Sequence, residues 1–200
     1  MRLGLTGGIG AGKSAALAAF ALRGAAVLSS DDVVHALYRE PDVVAAVRAR
    51  FGDDVLGPDG HVDRAVLGPR AFAQPGGVEF LEALLHPRIG AWREQWMRAQ
   101  AAARPAPIAM VCEVPLLFEV GLQEAFDAVI VVTASEDVRR ARVEARGQAF
   151  AERQARQWGE DAKVAAADMA FSNDGDLTAL EAFVDAVMVR YAGGVADGAT

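Results

Sequence analysis

Gly7-Gly8-Ile9-Gly10-Ala11-Gly12-Lys13-Ser14 is a complete G-x-x-x-x-G-K-[ST] motif, and its flanks say how it is used. Ahead of it, Arg2-Leu3-Gly4-Leu5-Thr6 reads as a buried strand. Behind it, the Ala/Leu/Phe-rich residues 12–23 read as a helix closed by Gly24. Strand, glycine loop and helix is the context a phosphate-binding loop (P-loop) requires. Glycines let consecutive N–H groups curl around a polyphosphate, and the helix N-terminus adds partial positive charge. Lys13 reaches the β- and γ-phosphates, and the Ser14 hydroxyl binds Mg2+. The expected nucleotide contacts are Gly8, Gly10, Ala11, Gly12, Lys13, Ser14 and Ala15. Lys13 and Lys163 are the only lysines in the chain.

Working outward, further apolar runs at 25–28, 107–112, 127–133 and 169–172 predict strands buried in a parallel sheet. Helical patterns fill the intervals, among them 135–146, which opens on Ser-Glu-Asp. The alternation predicts an α/β fold: a P-loop NTPase with a doubly wound, mostly parallel sheet. Between 41 and 103 the strand signal vanishes. Pro41 opens a helix with Val43, Val44, Val47 and Phe51 on one face and Gly52 at its end, and further helices are expected over 63–73, 76–85 and 88–103. This predicts a kinase core over 1–40 and 104–192, an all-helical insertion over 41–103 placed to bind an acceptor, and a frayed tail over 193–200.

Composition narrows the function. The 200 residues are 52% hydrophobic and 24% charged, enough apolar material for a sizeable core. A net charge of −7 repels nucleic acid and anionic membrane, so neither is an expected partner. Cys112 is the only cysteine, which excludes an intrachain disulfide and a Cys-rich metal site and fits a cytoplasmic protein. No uncharged apolar run is long enough to span a bilayer, and the N-terminus leads directly into strand-like sequence rather than a signal peptide. His35, His61 and His86 lack the spacing and company of a zinc site, leaving Mg2+ as the expected metal.

The loop leaves the acceptor of the phosphoryl group open. Neither lysine follows an Asn, so the guanine-reading Asn-Lys-x-Asp stretch is absent and ATP is preferred to GTP. After the second strand, Ser29-Ser30-Asp31-Asp32 places carboxylates at a strand's carboxyl end. Each has two readings: orienting or deprotonating an acceptor hydroxyl, or N-capping the helix that starts near Val33. Glu113, after 107–112, stands where a carboxylate holds a Mg2+-bound water or is a surface charge. His86-Pro87 reads as a turn between two helices. Arg139, Arg142 and Arg146 share one helical face, with Arg153 and Arg156 beyond, and predict a small helical lid over about 139–158. Arg140 and Arg156 fit surface pairs; Arg142 and Arg146 are expected to neutralise charge on the transferred group.

Taken in order, these stretches resemble the dephospho-CoA kinase family nearly end to end. The resemblance rests on Leu5-Thr6 with the glycine loop, Ser29-Ser30-Asp31, Phe51-Gly52, Gly60, Asp63-Arg64, Leu84-Leu85-His86-Pro87 and Pro115-Leu116-Leu117-Phe118-Glu119. It continues through Arg142, Arg146, Arg153, Gln157, Lys163, Asp168 and Asn173-Asp174-Gly175. It implies transfer of the ATP γ-phosphoryl to the 3′-hydroxyl of dephospho-CoA, with Asp31, Lys13, Arg142 and Arg146 catalytic and Ser14 and Glu113 serving the metal. It further implies that Asp31, Arg64, His86, Pro115 and Leu116 contact the acceptor; a monomer or weak homo-oligomer is expected. Ser29 replaces the first Asp of the family's Asp-x-Asp, Gly147 stands where an Asp is frequent, and the Arg146-to-Arg153 interval is shorter than usual. Two other functions fit the P-loop: a kinase for a different small-molecule hydroxyl, and a non-catalytic ATP-binding interaction module.

Overall fold

The computed structural model describes residues 1–145, 150, 154 and 157–193. Five strands form one sheet: β1 (Arg2–Thr6), β2 (Ala26–Ser29), β3 (Met110–Glu113), β4 (Ala128–Thr133) and β5 (Met169–Ser172). Their order is β2-β3-β1-β4-β5, and every neighbouring pair is parallel. The registers Leu5↔Glu113, Ser29↔Glu113 and Thr6↔Val131 bring the carboxyl ends of β1, β2, β3 and β4 to one edge. A loop leaving central β1 therefore emerges among them.

Alternation along β1 decides which helices cover which face. Leu3 and Leu5 join Val111, Ile130 and Val132 in a core packed by Ala16, Leu17 and Phe20 of α1 (Lys13–Leu22) and Leu180, Val184 and Val187 of α8 (Leu177–Ala192). On the other face Gly4 leaves no room for a side chain: a Cβ there would lie 2.7 Å from Leu117 Cδ1 and 2.9 Å from Phe126 Cδ2. The segment after β3 is thereby drawn against β1. Gly24, at φ 82°, ends α1 in the left-handed conformation expected of a closing glycine.

Residues Met1–Ser29 with the chain from Met97 onward form one compact unit, and Ser30–Trp96 a second. The sequence placed the insertion at 41–103; the second unit instead begins with α2 (Ser30–Leu37) and continues through α3 (Pro41–Phe51) and α4 (Arg64–Ala73). Val33, Leu37, Val43, Val47, Phe51, Val55 and Leu67 are among its buried apolar residues. An isolated bridge between Leu56 and Val62 is its only β pairing among the described residues.

Two expectations are corrected here. The helices sought at 76–85 and 88–103 are one helix, α5 (Gly77–Ala102), which runs through His86 and Pro87. Pro87 removes an amide donor, and Arg88 Nη1 donates to Leu84 O at 2.8 Å within the affected turn. His86 is therefore an exposed mid-helix residue rather than a turn. Likewise α2 begins at Ser30, so Asp31 and Asp32 lie in its first turn rather than at a cap; their charges complement the positive end of the helix dipole there.

Candidate active site

The loop between β1 and α1 keeps its shape because its glycines take conformations and approaches closed to other residues. Gly10 (φ 78°) and Gly12 (φ 103°) are left-handed. A Cβ on Gly7 would strike the Val132 carbonyl, one on Gly10 the Arg139 carbonyl, and one on Gly12 the Asn173 carboxamide. Ala11 N–H closes a turn onto Gly8 O at 3.2 Å. The N-cap of α1 is Gly12, which brings no capping side chain of its own, so the helix starts on bare backbone. The Lys13 ammonium folds over the loop, donating to Gly7 O at 3.2 Å and Gly8 O at 3.1 Å. A glycine cradle that itself brings almost no side chains, a helix start with a glycine cap and a lysine above them fit a polyphosphate.

Around the cradle stand residues from distant parts of the chain. Arg142 of α6 (Glu136–Glu144) donates to Gly10 O at 3.3 Å, Ala11 O at 3.4 Å and Asn173 O at 3.0 Å. Asn173, 4% exposed and one residue past β5, donates from Nδ2 to Ala11 O at 2.8 Å. Arg139, 5% exposed, donates from Nε to Ala134 O at 3.0 Å and lies 3.9 Å from Glu160 Oε1. Gln157 Oε1 accepts the Ile9 N–H at 3.0 Å. Arg140 pairs with Glu136 one turn away, the surface pairing expected of it. Arg146, Arg153 and Arg156 fall outside the described residues, as does much of the expected lid.

Ser14, at the start of α1, is exposed, and Glu113, at the end of β3, is 6% exposed with Ser29 Oγ donating to its Oε2 at 3.5 Å. Ser29 is thus a hydrogen-bond partner of the neighbouring strand's carboxylate. Among the described residues no three His, Cys, Asp or Glu side chains cluster as a metal cage. A hydroxyl and a single carboxylate are the hard, sparse donor set that suits Mg2+, which keeps several waters and leans on substrate phosphates.

The remaining site residues divide between the units. Pro115 and Leu116 follow β3, and the Pro115 carbonyl accepts the Thr6 hydroxyl at 3.4 Å. Asp31 and Arg64 belong to the second unit, where the exposed Asp31 carboxylate lies 3.5 Å from Arg64 Nη2. His86 also belongs to that unit, at an exposed position. Near Arg64, Tyr38 is buried, which raises its phenol above the usual range while the Arg64 charge pulls the other way. Asp174, exposed, is held below the ordinary carboxylate range by the Ser172 hydroxyl and by Ser135, whose N–H donates to Oδ1 at 2.6 Å. It fastens the start of α6 to the β5 end. The sequence placed neither Asn173 nor Gln157 in the site; both were visible as polar residues following apolar or helical runs, but nothing local says which loop they meet.

A parallel sheet with a G-x-x-x-x-G-K-S cradle after its central strand, backed by arginines from α6, defines a P-loop kinase. The chain belongs to the dephospho-CoA kinase family, whose model, described as CoaE, dephospho-CoA kinase, matches residues 1–179. It is 42% identical over 199 residues to the dephospho-CoA kinase of Anaeromyxobacter dehalogenans, covering 96% of this chain and 92% of that one. To the dephospho-CoA kinase of Methylococcus capsulatus it is 38% identical over 195 residues, covering 94% and 96%. The crystal structure of a Thermus thermophilus protein superposes with a TM-score of 0.75 at 29% identity, covering 95% and 97%. The chain is accordingly a kinase that uses ATP. Neither a kinase for another hydroxyl nor a non-catalytic module is favoured. Among the described residues no helix is long and apolar enough to cross a membrane.

Proposed function

We propose that this chain phosphorylates the ribose 3′-hydroxyl of dephospho-CoA, with the first unit holding ATP and Asp31 serving the acceptor. The observation that carries the reading is the glycine loop with Lys13 folded over it at the start of α1, in a chain matching the family along most of its length. The loop amides and Lys13 bind the β- and γ-phosphates. The acceptor oxygen attacks the γ-phosphorus, the bond to the β,γ-bridging oxygen breaks, and ADP departs. Asp31 accepts the hydroxyl proton, a task its exposed carboxylate suits, while Arg64 beside it orients it. Arg64, His86, Pro115 and Leu116 supply acceptor contacts. Arg142, already on the loop carbonyls, stabilises charge spreading over the transferred group, and Arg146 acts with it.

Mg2+ would be held by the Ser14 hydroxyl and, through water, by Glu113, and supplies neutralisation of phosphate charge. The enzyme works in the cytoplasm as a monomer or weak homo-oligomer. The test is one coupled assay: purified protein, ATP and Mg2+, with and without dephospho-CoA, following ADP. Acceptor-dependent ADP with formation of CoA is expected. ADP release that ignores dephospho-CoA, or appears only with another hydroxyl compound, overturns the reading.

A further inference from the structure

One flank of the phosphate loop is held by a run of polar contacts, anchored on a buried ion pair, that phosphate binding does not itself require. Lys163, in the short helix α7 (Glu160–Ala165), is 0% exposed, with its ammonium 2.9 Å from Glu119 Oε1. Among the described residues neither that ammonium nor Glu119 Oε2 has a partner in hydrogen-bonding geometry, so the two charges answer chiefly to each other. The same Glu119 Oε1 accepts the Trp158 N–H at 2.7 Å. Trp158 stacks on Phe118, ring centroids 5.7 Å apart and planes at 14°. One residue earlier, Gln157 accepts the Ile9 N–H of the phosphate loop.

Burying an ammonium and a carboxylate is costly, and an apolar pair of equal volume packs at least as stably in many proteins. The pair is therefore poorly explained as a source of stability. What it does supply is a fixed anchor. The Trp158 N–H is held by the Glu119 carboxylate and its ring by Phe118, which anchors the backbone next to Gln157. We propose that Lys163 and Glu119 are positioning residues for nucleotide binding: their ion pair fixes Trp158, and so holds Gln157 on the Ile9 amide and the loop in its phosphate-ready shape. This rests on the loop being the ATP site, and not on the identity of the acceptor.

The test measures Mg-ATP affinity by titration calorimetry on the full chain, together with the urea unfolding midpoint, and needs no acceptor. Gln157→Ala, at a partly exposed position, is expected to weaken ATP binding about tenfold with the midpoint unchanged. Lys163→Met and Glu119→Gln are expected to do the same while also lowering the midpoint, and Lys163→Arg to retain most of the affinity. The deciding protein is the double variant Glu119→Leu/Lys163→Met, which replaces the pair with apolar side chains and remains informative even where a single variant fails to fold. It is expected to unfold no earlier than the unaltered chain yet to bind ATP about tenfold more weakly. Recovery of both stability and ATP affinity in that double variant, or an unchanged ATP affinity in Gln157→Ala, overturns the proposal. Failure of the dephospho-CoA reading would show separately, as missing acceptor-dependent ADP in the unaltered chain.

Discussion

Replacing Gly12 with alanine puts one methyl group where the fold has reserved none. Gly12 is left-handed at φ 103° and ψ 22°, which costs an alanine about 1–2 kcal/mol. Its new Cβ would meet the Asn173 carboxamide, whose Nδ2 donates to Ala11 O at 2.8 Å. Pushing that side chain aside loses a hydrogen bond worth about 1 kcal/mol and leaves a polar group at a 4% exposed position short of a partner, at a cost of about 1–3 kcal/mol. Together these predict a loss of about 3–6 kcal/mol, a large share of a typical domain's stability of about 5–15 kcal/mol. Urea unfolding followed by circular dichroism measures it, and Mg-ATP titration should show affinity falling in parallel. A double-mutant cycle isolates the steric part. Asn173→Ala alone is expected to cost about 1–3 kcal/mol, and because it also vacates the space, the double variant should lose about 1 kcal/mol less than the sum of the singles. A Gly12→Ala loss below about 0.5 kcal/mol, within the usual range for surface changes, would refute this account of the loop, and strict additivity would refute the steric link to Asn173.

Three further outcomes follow from the site and the sheet edge. Lys13→Ala should lower turnover more than tenfold, since the ammonium serves the phosphates whose charge grows in the transition state; near-normal turnover would remove it from the chemistry. Asp31→Asn should lower turnover more than tenfold while sparing ATP affinity, because an amide accepts no proton; steady-state kinetics with an ATP titration would expose the opposite pattern. At Asp127, burial raises the pKa, but the Arg2 guanidinium, the Arg2 N–H and the N-terminal charge outweigh it and leave a net lowering. A lowered carboxylate contributes stability above its unfolded pKa of about 4 and loses it as pH falls through the folded value. Asp127→Asn should thus cost no more than about 1 kcal/mol at neutral pH, the pair being half exposed, and the difference from the unaltered chain should close below about pH 4. A gap that persists in acid would rule out the charge as its cause.

Much of the architecture was legible because it is local. Each strand is a short apolar run bounded by polar or glycine residues, and all five appear within a few positions of where hydrophobic pattern placed them. The misjudged break at Pro87 shows the limit. A proline disfavours helix in isolation, yet the continuous helix over Gly77–Ala102 outweighs that preference, with Arg88 donating to Leu84 O in the interrupted turn. The start of α2 was misread for a similar reason: Ser30, Asp31 and Asp32 each favour caps, and their own chemistry does not choose among them.

The phosphate cradle itself was written in the chain, since contiguous glycines, a lysine and a serine between a strand and a helix leave the backbone one useful way to fold. Its surroundings were not. Arg142, Gln157 and Asn173 reach the loop from more than a hundred residues away, and Glu119 meets Lys163 across forty-odd positions. Such meetings depend on parallel register and helix placement, which no local pattern encodes, so only the folded chain could show which polar side chains hold the cradle and which merely face water.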